Sequence, residues 1–351
     1  MSSWFEAPFP KINLSALKQA EERQGILTKP PGSLGYLEHI AIQFAGWQGT
    51  TTPTPVTRKT SIAIFAADHG VADEGVSAFP QAVTVEMVKN FARGGAAISV
   101  LANHHGAALH IINAGTANSV EGIPDVIDFS VAEGTANFAK QPAMTEAQCL
   151  DALTAGQRVI NEIIAEDTQL FIGGEMGIAN TSSATAICCA LLNYEVNELV
   201  GAGTGLDHAA IAHKAQVIES ALKLHKVKNA KAIDVLCAVG GFEIAALAGA
   251  YIAAAQRGIP SLVDGFITTA AALVACRLRP ELKSWLLFSH QSAEKGHRLV
   301  LENLGVRPLL SLDMRLGEAS GAAVCLPVID SALALHANMA TFEEAQVQDG
   351  S

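Results

Sequence analysis

Residues 61–70 read SIAIFAADHG, a short apolar run that stops at a small polar cluster and a glycine. The same design recurs in AALHIINAG from 107, TQLFIGGEMG from 168, NELVGAGTG from 197, AIDVLCAVGG from 232, IPSLVDGF from 259 and SWLLFSH from 284. Each run has strand length, and alanine-rich helical stretches separate them. Strands that alternate with helices imply βαβ crossovers and a largely parallel sheet covered on both faces. In such a sheet all the strands end at one edge, where ligands bind. That edge is expected to collect DHG, NAG, GGEMG, GAGTG, VGG, DG and SHQS.

Outward from these runs, residues 11–24 (KINLSALKQAEERQ) have helical apolar spacing, TKPPGSLG at 28–35 breaks it, and a second helix is expected over 36–47. The region after about 281 reads as helical. The fold class expected is therefore α/β: a largely parallel, Rossmann-type sheet with helices on both faces, plus a smaller helical domain from the N- and C-terminal segments. The boundaries expected are 56–280 for the α/β domain and 1–55 with 281–351 for the smaller one, with the polar tail ATFEEAQVQDGS fraying. There is no fixed-period repeat, low-complexity tract or flexible linker.

Of the 351 residues, 50% are apolar and only 5% aromatic, so the core is expected to be built from Ala, Val, Ile and Leu. The formal net charge of −11 argues against a nucleic-acid partner, which clustered Lys and Arg would have to bind. The start MSSWFEAPFPKINLS lacks the charge and apolar run of a signal peptide, and no window of about 18 residues is apolar without charge. A cytoplasmic location without a membrane partner is expected. Six cysteines occur, none in a C-x-x-C pair, and most lie in apolar runs such as AICCALL. They read as buried free thiols.

Chemistry concentrates in a few segments. GGEMGIANTSSATA, 173–186, follows a strand and precedes a helix. Its glycines let backbone N–H groups approach a ligand, and Asn180, Thr181, Ser182 and Ser183 can cap the helix or meet an anion at its positive end. A tight turn with ordinary capping is the alternative. GAGTGLDHAAIAHK, 201–214, repeats the arrangement and sets Lys214 within a few turns of the glycines. It is neither a P-loop nor the G-x-G-x-x-G of dinucleotide folds; Lys214 either reaches a phosphate or is simply solvated. In ADHGVADEGVSAFPQAV, 67–83, the spacing of Asp68, His69, Asp73 and Glu74 is unlike a metal motif, so loop hydrogen bonding and no metal are expected. Phe79, Pro80 and Met87 can line a flat pocket or serve as core.

A Ser-His-Asp hydrolase finds little support, since no G-x-S-x-G elbow exists and Ser289 and His290 are adjacent. The paired strand-end acids of diphosphate-using phosphoribosyltransferases are missing; SLVDGF carries one. In SLDMRLGEASGAA, 311–323, Glu318 has two readings. One is an acid in the first turn of a helix, favoured by the macrodipole by about 0.3–1 kcal/mol. The other is a general base whose apolar, glycine-rich surroundings raise its pKa above the ordinary value of about 4.3.

In order, LTKPPGSLGYLE, ADHGVADEGVSAFP, GGEMGIANTSSA, GAGTGLD with Lys214, VGGFEIAALAGA, LVDGF, SHQSAEKG and MRLGEASGAA resemble one family along almost the whole chain. It is the nicotinate-nucleotide–dimethylbenzimidazole phosphoribosyltransferases of cobalamin nucleotide-loop assembly. The resemblance implies transfer of 5-phosphoribose from nicotinate mononucleotide to 5,6-dimethylbenzimidazole or a related base, giving α-ribazole 5′-phosphate and nicotinate. It makes Glu318, in MRLGE, the catalytic base. It assigns Glu175, Gly177, Asn180, Thr181, Gly203, Lys214, Ser289 and Ser292 to the nucleotide and its phosphate, and Phe79, Pro80, Met87, Met176 and Leu316 to the aromatic base. It also implies a homodimer acting on small molecules, with no cofactor and no metal. Tyr36, Ala202 and His208 depart from the family's commoner residues, two of them beside the expected nucleotide contacts.

Two other functions compete. A nicotinamide-dependent oxidoreductase is the commonest occupant of such sheets, but the missing G-x-G-x-x-G and its ribose-binding acid count against it. A mononucleotide sensor without catalysis shares the binding residues and differs only in forming no product.

Overall fold

The computed structural model describes residues 4–203 and 205–348. Thr204 of GAGTG and the last three residues of the tail fall outside that range. In chain order the main elements are α1 (Leu14–Ile26), α2 (Tyr36–Gln48), β1 (Thr60–Ala67), α3 (Ala82–Ala92), α4 (Ala97–His105), β2 (Ala108–Gly115), β3 (Val126–Asp128), α5 (Glu146–Arg158) and β4 (Leu170–Met176). There follow α6 (Asn180–Leu192), α7 (Val196–Leu199), α8 (His208–His225), α9 (Ala232–Val239), α10 (Phe242–Gln256), β5 (Ser261–Val263), α11 (Phe266–Leu278), β6 (Leu286–His290), α12 (His297–Leu304), β7 (Pro308–Leu310), α13 (Ser320–Asn338) and α14 (Phe342–Ala345).

All the strands join one parallel sheet in the order β3-β2-β1-β4-β5-β6-β7. SIAIFAADHG supplies an interior strand, beside the central β4: Ile64 of β1 pairs with Ile111 of β2 on one side and Gly174 of β4 on the other. Every residue of β1 is buried. Its side chains divide by alternation, as a pleated strand requires. Ala63, Phe65 and Ala67 enter a core shared with α5, α6, α9, α10 and α11, while Ile62, Ile64 and Ala66 enter another shared with α2, α3, α4 and α13. The α/β class and the two helical layers thus follow from apolar strands that find cover on both faces.

Two of the expected strands are helical. AIDVLCAVGG forms α9, because Ala232, Val235, Leu236 and Val239, spaced i, i+3, i+4 and i+7, all turn to one buried side. In NELVGAGTG, Val196–Leu199 is a single helical turn, closed by a capping box in which the backbone of Glu195 donates to Glu198 Oε2 at 2.8 Å. Beyond 281 the chain is not wholly helical, since it supplies β6 and β7 to the sheet. β3 and β7, at three residues each, were not expected.

The terminal helices pack on each other. Arg23 of α1 donates to the carbonyl oxygens of His336 (2.8 Å) and Ala337 (2.9 Å), so a cation closes the carboxyl end of α13. Within the described part of the tail, a capping box of Thr341 and Glu344 starts α14, so residues 341–345 are helical and not frayed. By length and composition α13 could cross a membrane, but more than half of it is buried in the protein.

Candidate active site

A cavity of about 300 Å³ lies at the carboxyl edge of the sheet. It is walled by the end of β4 and the start of α6 (Glu175–Ile178, Asn180, Thr181), the segment after β5 (Asp264–Thr268), the end of β6 with its loop (His290, Ser292, Glu294) and the loop after β7 (Arg315–Glu318). Phe79, from the segment after β1, and Gly203 complete it. The position agrees with the rule for open parallel sheets, because β1 and β4 are where the strand order reverses.

The cavity brings together Glu175, Met176, Gly177, Asn180, Thr181, Gly203, Ser292, Phe79, Leu316 and Glu318. Phe79 and Leu316 are large apolar side chains left half open to solvent or more, at 50% and 57%. Lys214 stands outside the wall, 1% exposed, and its Nζ donates to Thr181 Oγ1 at 2.7 Å. Ser289 also lies outside, buried on β6, its hydroxyl donating to the backbone oxygen of Asp264 at 3.0 Å. Pro80 is exposed beyond the wall, and Met87 is half-buried on α3 against the second core. Tyr36, Ala202 and His208 do not line the cavity; Tyr36 is covered by the Arg307 guanidinium 4.7 Å from its ring.

Glu318 is not in the first turn of α13, which contains no acid. It precedes the helix in an unusual turn: Gly317, Glu318 and Ala319 have φ of +83°, +60° and +64°. Left-handed backbone costs a non-glycine residue about 1–3 kcal/mol and needs support from its surroundings. The support is visible. Both the amide and the hydroxyl of Ser320 donate to the oxygen of Gly317, at 3.0 and 2.7 Å. Ala319 is fully buried against β4, so close that a Cβ on Gly174 would stand 2.8 Å from the Ala319 methyl. At Gly317 the φ favours glycine, and a Cβ there would come within 2.5 Å of Glu175 Oε1, so the Glu175 carboxyl would have to move.

Held this way, the Glu318 side chain is 6% exposed, and burial alone raises its pKa to about 7. Among the described residues no ion pair joins it to Arg315, whose charge instead acts on Glu294. Burial also raises Glu175 to about 8, reinforced by Glu243 and opposed by the Asn180 side-chain amide that donates to it. Asp264 rises to about 7, where desolvation outweighs backbone N–H groups of Ala322, Gly321 and Ala319. Glu294 rises as well, and burial lowers Lys214 to about 8. A wall rich in acids therefore carries less negative charge near neutrality than its composition implies, which makes room for an anion.

Among the wall residues that the sequence does not assign to the site are Asp264, His290 and Glu294; Arg315 stands out in sequence only as the one cation near Glu318, and behind the wall lies a buried pair. His69 and Glu243 meet at 2.7 Å and both are fully buried. A signal for Glu243 was present, since it is the one charge in the apolar run FEIAALAGAYIAAA. Two of the loop acids make hydrogen bonds: Asp68 Oδ2 accepts from Ala117 N at 2.8 Å, and Glu74 accepts from Asn137 at 2.6 Å. Among the described residues no group of three or more His, Cys, Asp and Glu side chains is placed to hold a metal ion.

A phosphoribosyltransferase family profile matches residues 9–347. Over 342 residues the chain is 59% identical to the nicotinate-nucleotide–dimethylbenzimidazole phosphoribosyltransferase of Xanthomonas axonopodis pv. citri (strain 306), covering 97% of this chain and 96% of the relative. The enzyme of that name from Pseudomonas aeruginosa (strain UCBPP-PA14) is 54% identical, with 99% and 98% covered. A crystal structure bearing the same enzyme name, from Thermus thermophilus, superposes with a TM-score of 0.90 at 40% identity, over 97% of this chain and 100% of that one.

Proposed function

This chain belongs to the nicotinate-nucleotide–dimethylbenzimidazole phosphoribosyltransferase family, and we propose that it transfers 5-phosphoribose from nicotinate mononucleotide to 5,6-dimethylbenzimidazole or a related lower-ligand base. The products are α-ribazole 5′-phosphate and nicotinate, and Glu318 is the general base. The observation that carries the reading is that, of the three buried carboxylates on the wall of a cavity of about 300 Å³, Glu318 is raised to about 7 by desolvation alone, whereas Glu175 accepts from Asn180 and Asp264 from the amides of α13. A base poised near the working pH is the efficient choice for taking a proton from a weakly acidic ring N–H.

In the reaction one benzimidazole nitrogen attacks C1′ of the ribose from the face opposite the pyridinium. The electron pair of the breaking C–N bond stays on the pyridine nitrogen, which departs neutral and needs no acid. The proton on the other benzimidazole nitrogen passes to Glu318. Attack from the opposite face turns the β donor into an α product, through a transition state with oxocarbenium character. No diphosphate leaves, so the chemistry calls for neither metal nor organic cofactor.

The nucleotide half of the cavity is assigned to Glu175, Gly177, Asn180, Thr181, Gly203 and Ser292, with Lys214 and Ser289 outside the wall. Thr181 is the link through which the Lys214 charge is held near a phosphate. The base half is assigned to Phe79, Met176 and Leu316, with Pro80 and Met87 beyond them. A cytoplasmic homodimer without nucleic-acid or membrane partners belongs to the same reading.

The test is nicotinate release from the mononucleotide, followed with and without a benzimidazole. Release that depends on the acceptor supports the transferase, whereas equal release without it identifies a nucleosidase. Binding without any product after prolonged incubation identifies a sensor. Glu318→Gln is expected to bind both substrates and lose about 10²–10⁴-fold in turnover; wild-type turnover would remove Glu318 from the mechanism.

A further inference from the structure

Helix α13 opens without the usual device for satisfying its first amides. Its N-cap residue is Ala319, which has no side-chain acceptor, and no side chain within the helix takes the role. The acceptor comes from another strand. Asp264, the residue following β5, places Oδ1 2.7 Å from the N–H of Ala322, the third residue of the helix. The amides of Gly321 and Ala319 face the same carboxylate. Asp264 is itself 1% exposed, and its backbone is held by the Ser289 hydroxyl.

We propose that Asp264 is a positioning residue for Glu318: by capping α13 from β5 it holds the left-handed 317–319 turn in the shape that presents Glu318 to the cavity. The reason is local. The turn is strained at two non-glycine residues, and a strained turn persists only while its neighbours over-determine it. The Ser320–Gly317 hydrogen bonds close the turn on itself, but the Asp264–Ala322 bond ties it to the sheet. Without that bond a buried amide is left unpaired and the chain before it is free to relax toward right-handed backbone. That relaxation would swing the Glu318 side chain, and displacement of a reacting group by about 1 Å can cost about 10²-fold in rate.

The inference rests on the general-base role of Glu318, and its test compares Asp264→Ala with Asp264→Asn. Asparagine keeps an oxygen that can accept from Ala322, whereas alanine does not. D264A is expected to lose at least about tenfold in kcat with KM for both substrates within about threefold, and D264N to recover most of that loss. In the E318Q background D264A should add no further loss, since positioning an absent base has no value. Hydrogen exchange at the Gly321 and Ala322 amides should accelerate in D264A and not in D264N. If D264A does not fold, D264S, whose hydroxyl is too short to reach, takes its place with the same expectations. The proposal fails if D264N is as impaired as D264A, if KM rises while kcat is kept, or if D264A is fully active. E318Q run in parallel separates the two ideas: wild-type turnover there refutes the general base, whatever Asp264 does.

Discussion

Glu318 is one residue from being an ordinary helix-start acid, and its backbone angle decides the matter. With φ of +60° it lies outside α13, in a turn that buries it and leaves its carboxyl near a pKa of 7. Two measurements follow from that value. A base acts deprotonated, so kcat at saturating substrate should rise with pH up to about 7 and then level off, and the limb should vanish in E318Q. Stability should run the other way. A carboxyl whose pKa is higher folded than unfolded binds more protons when folded, so its contribution is fully present below about 4.5 and is lost as pH rises through about 7. E318Q, which cannot ionise, should melt higher than the parent at pH 8 and about level with it at pH 5; an equal difference at both would disprove the linkage. The backbone angle is not legible in RLGEASG, which reads equally well as the first turn of a helix, and it is the family resemblance that shifts the weight to the general-base reading.

At the scale of elements, β4 meets different partners on its two faces, and adjacent glycines report them separately. A methyl on Gly173 would meet Leu247 Cδ2 at 2.5 Å and the Tyr251 hydroxyl at 3.1 Å, in the core beneath α10. On Gly174 it would meet Ile64 Cδ1 of β1 and, at 2.8 Å, the Ala319 methyl in the turn that carries Glu318. Both Gly→Ala changes should destabilise by about 1–3 kcal/mol through overpacking. Only Gly174→Ala should also lower kcat, by about tenfold or more, because it pushes on the turn. Similar kcat losses in the two variants would argue that β4 and the turn are not coupled. The strands that proved legible, β1, β2, β4, β5 and β6, are apolar runs ended by glycine or polar residues. The same surface text misled at AIDVLCAVGG, where a buried helix and a buried strand are both apolar and only the i, i+3, i+4, i+7 pattern separates them. β3 and β7 are edge-forming triplets with too few residues to show a period.

At the scale of the whole molecule, the cavity gathers residues from Phe79 to Glu318, brought together by strand order rather than by any local motif. Ten of the residues singled out from sequence line it: the glycine-rich strand ends point to the GGEMG and GAGTG segments, and the family resemblance supplies Ser292 and Leu316. Asp264 and Glu294 are not legible in this way, since one acid at a loop resembles any other until the neighbouring chain is known. The gathering has a thermodynamic consequence in protons. At pH 8 Lys214, Glu175 and Asp264 all sit within about a unit of their titration points. A phosphate dianion entering beside them favours the protonated form of each, so the complex must draw protons from the buffer as it forms. Calorimetric titration of nicotinate mononucleotide at pH 8 in two buffers of different ionisation enthalpy should give different apparent heats, with net uptake. Identical heats would mean that these groups keep their protonation on binding. Substrate capture in this protein is thus expected to take up protons, and its affinity to weaken as the solution becomes more alkaline.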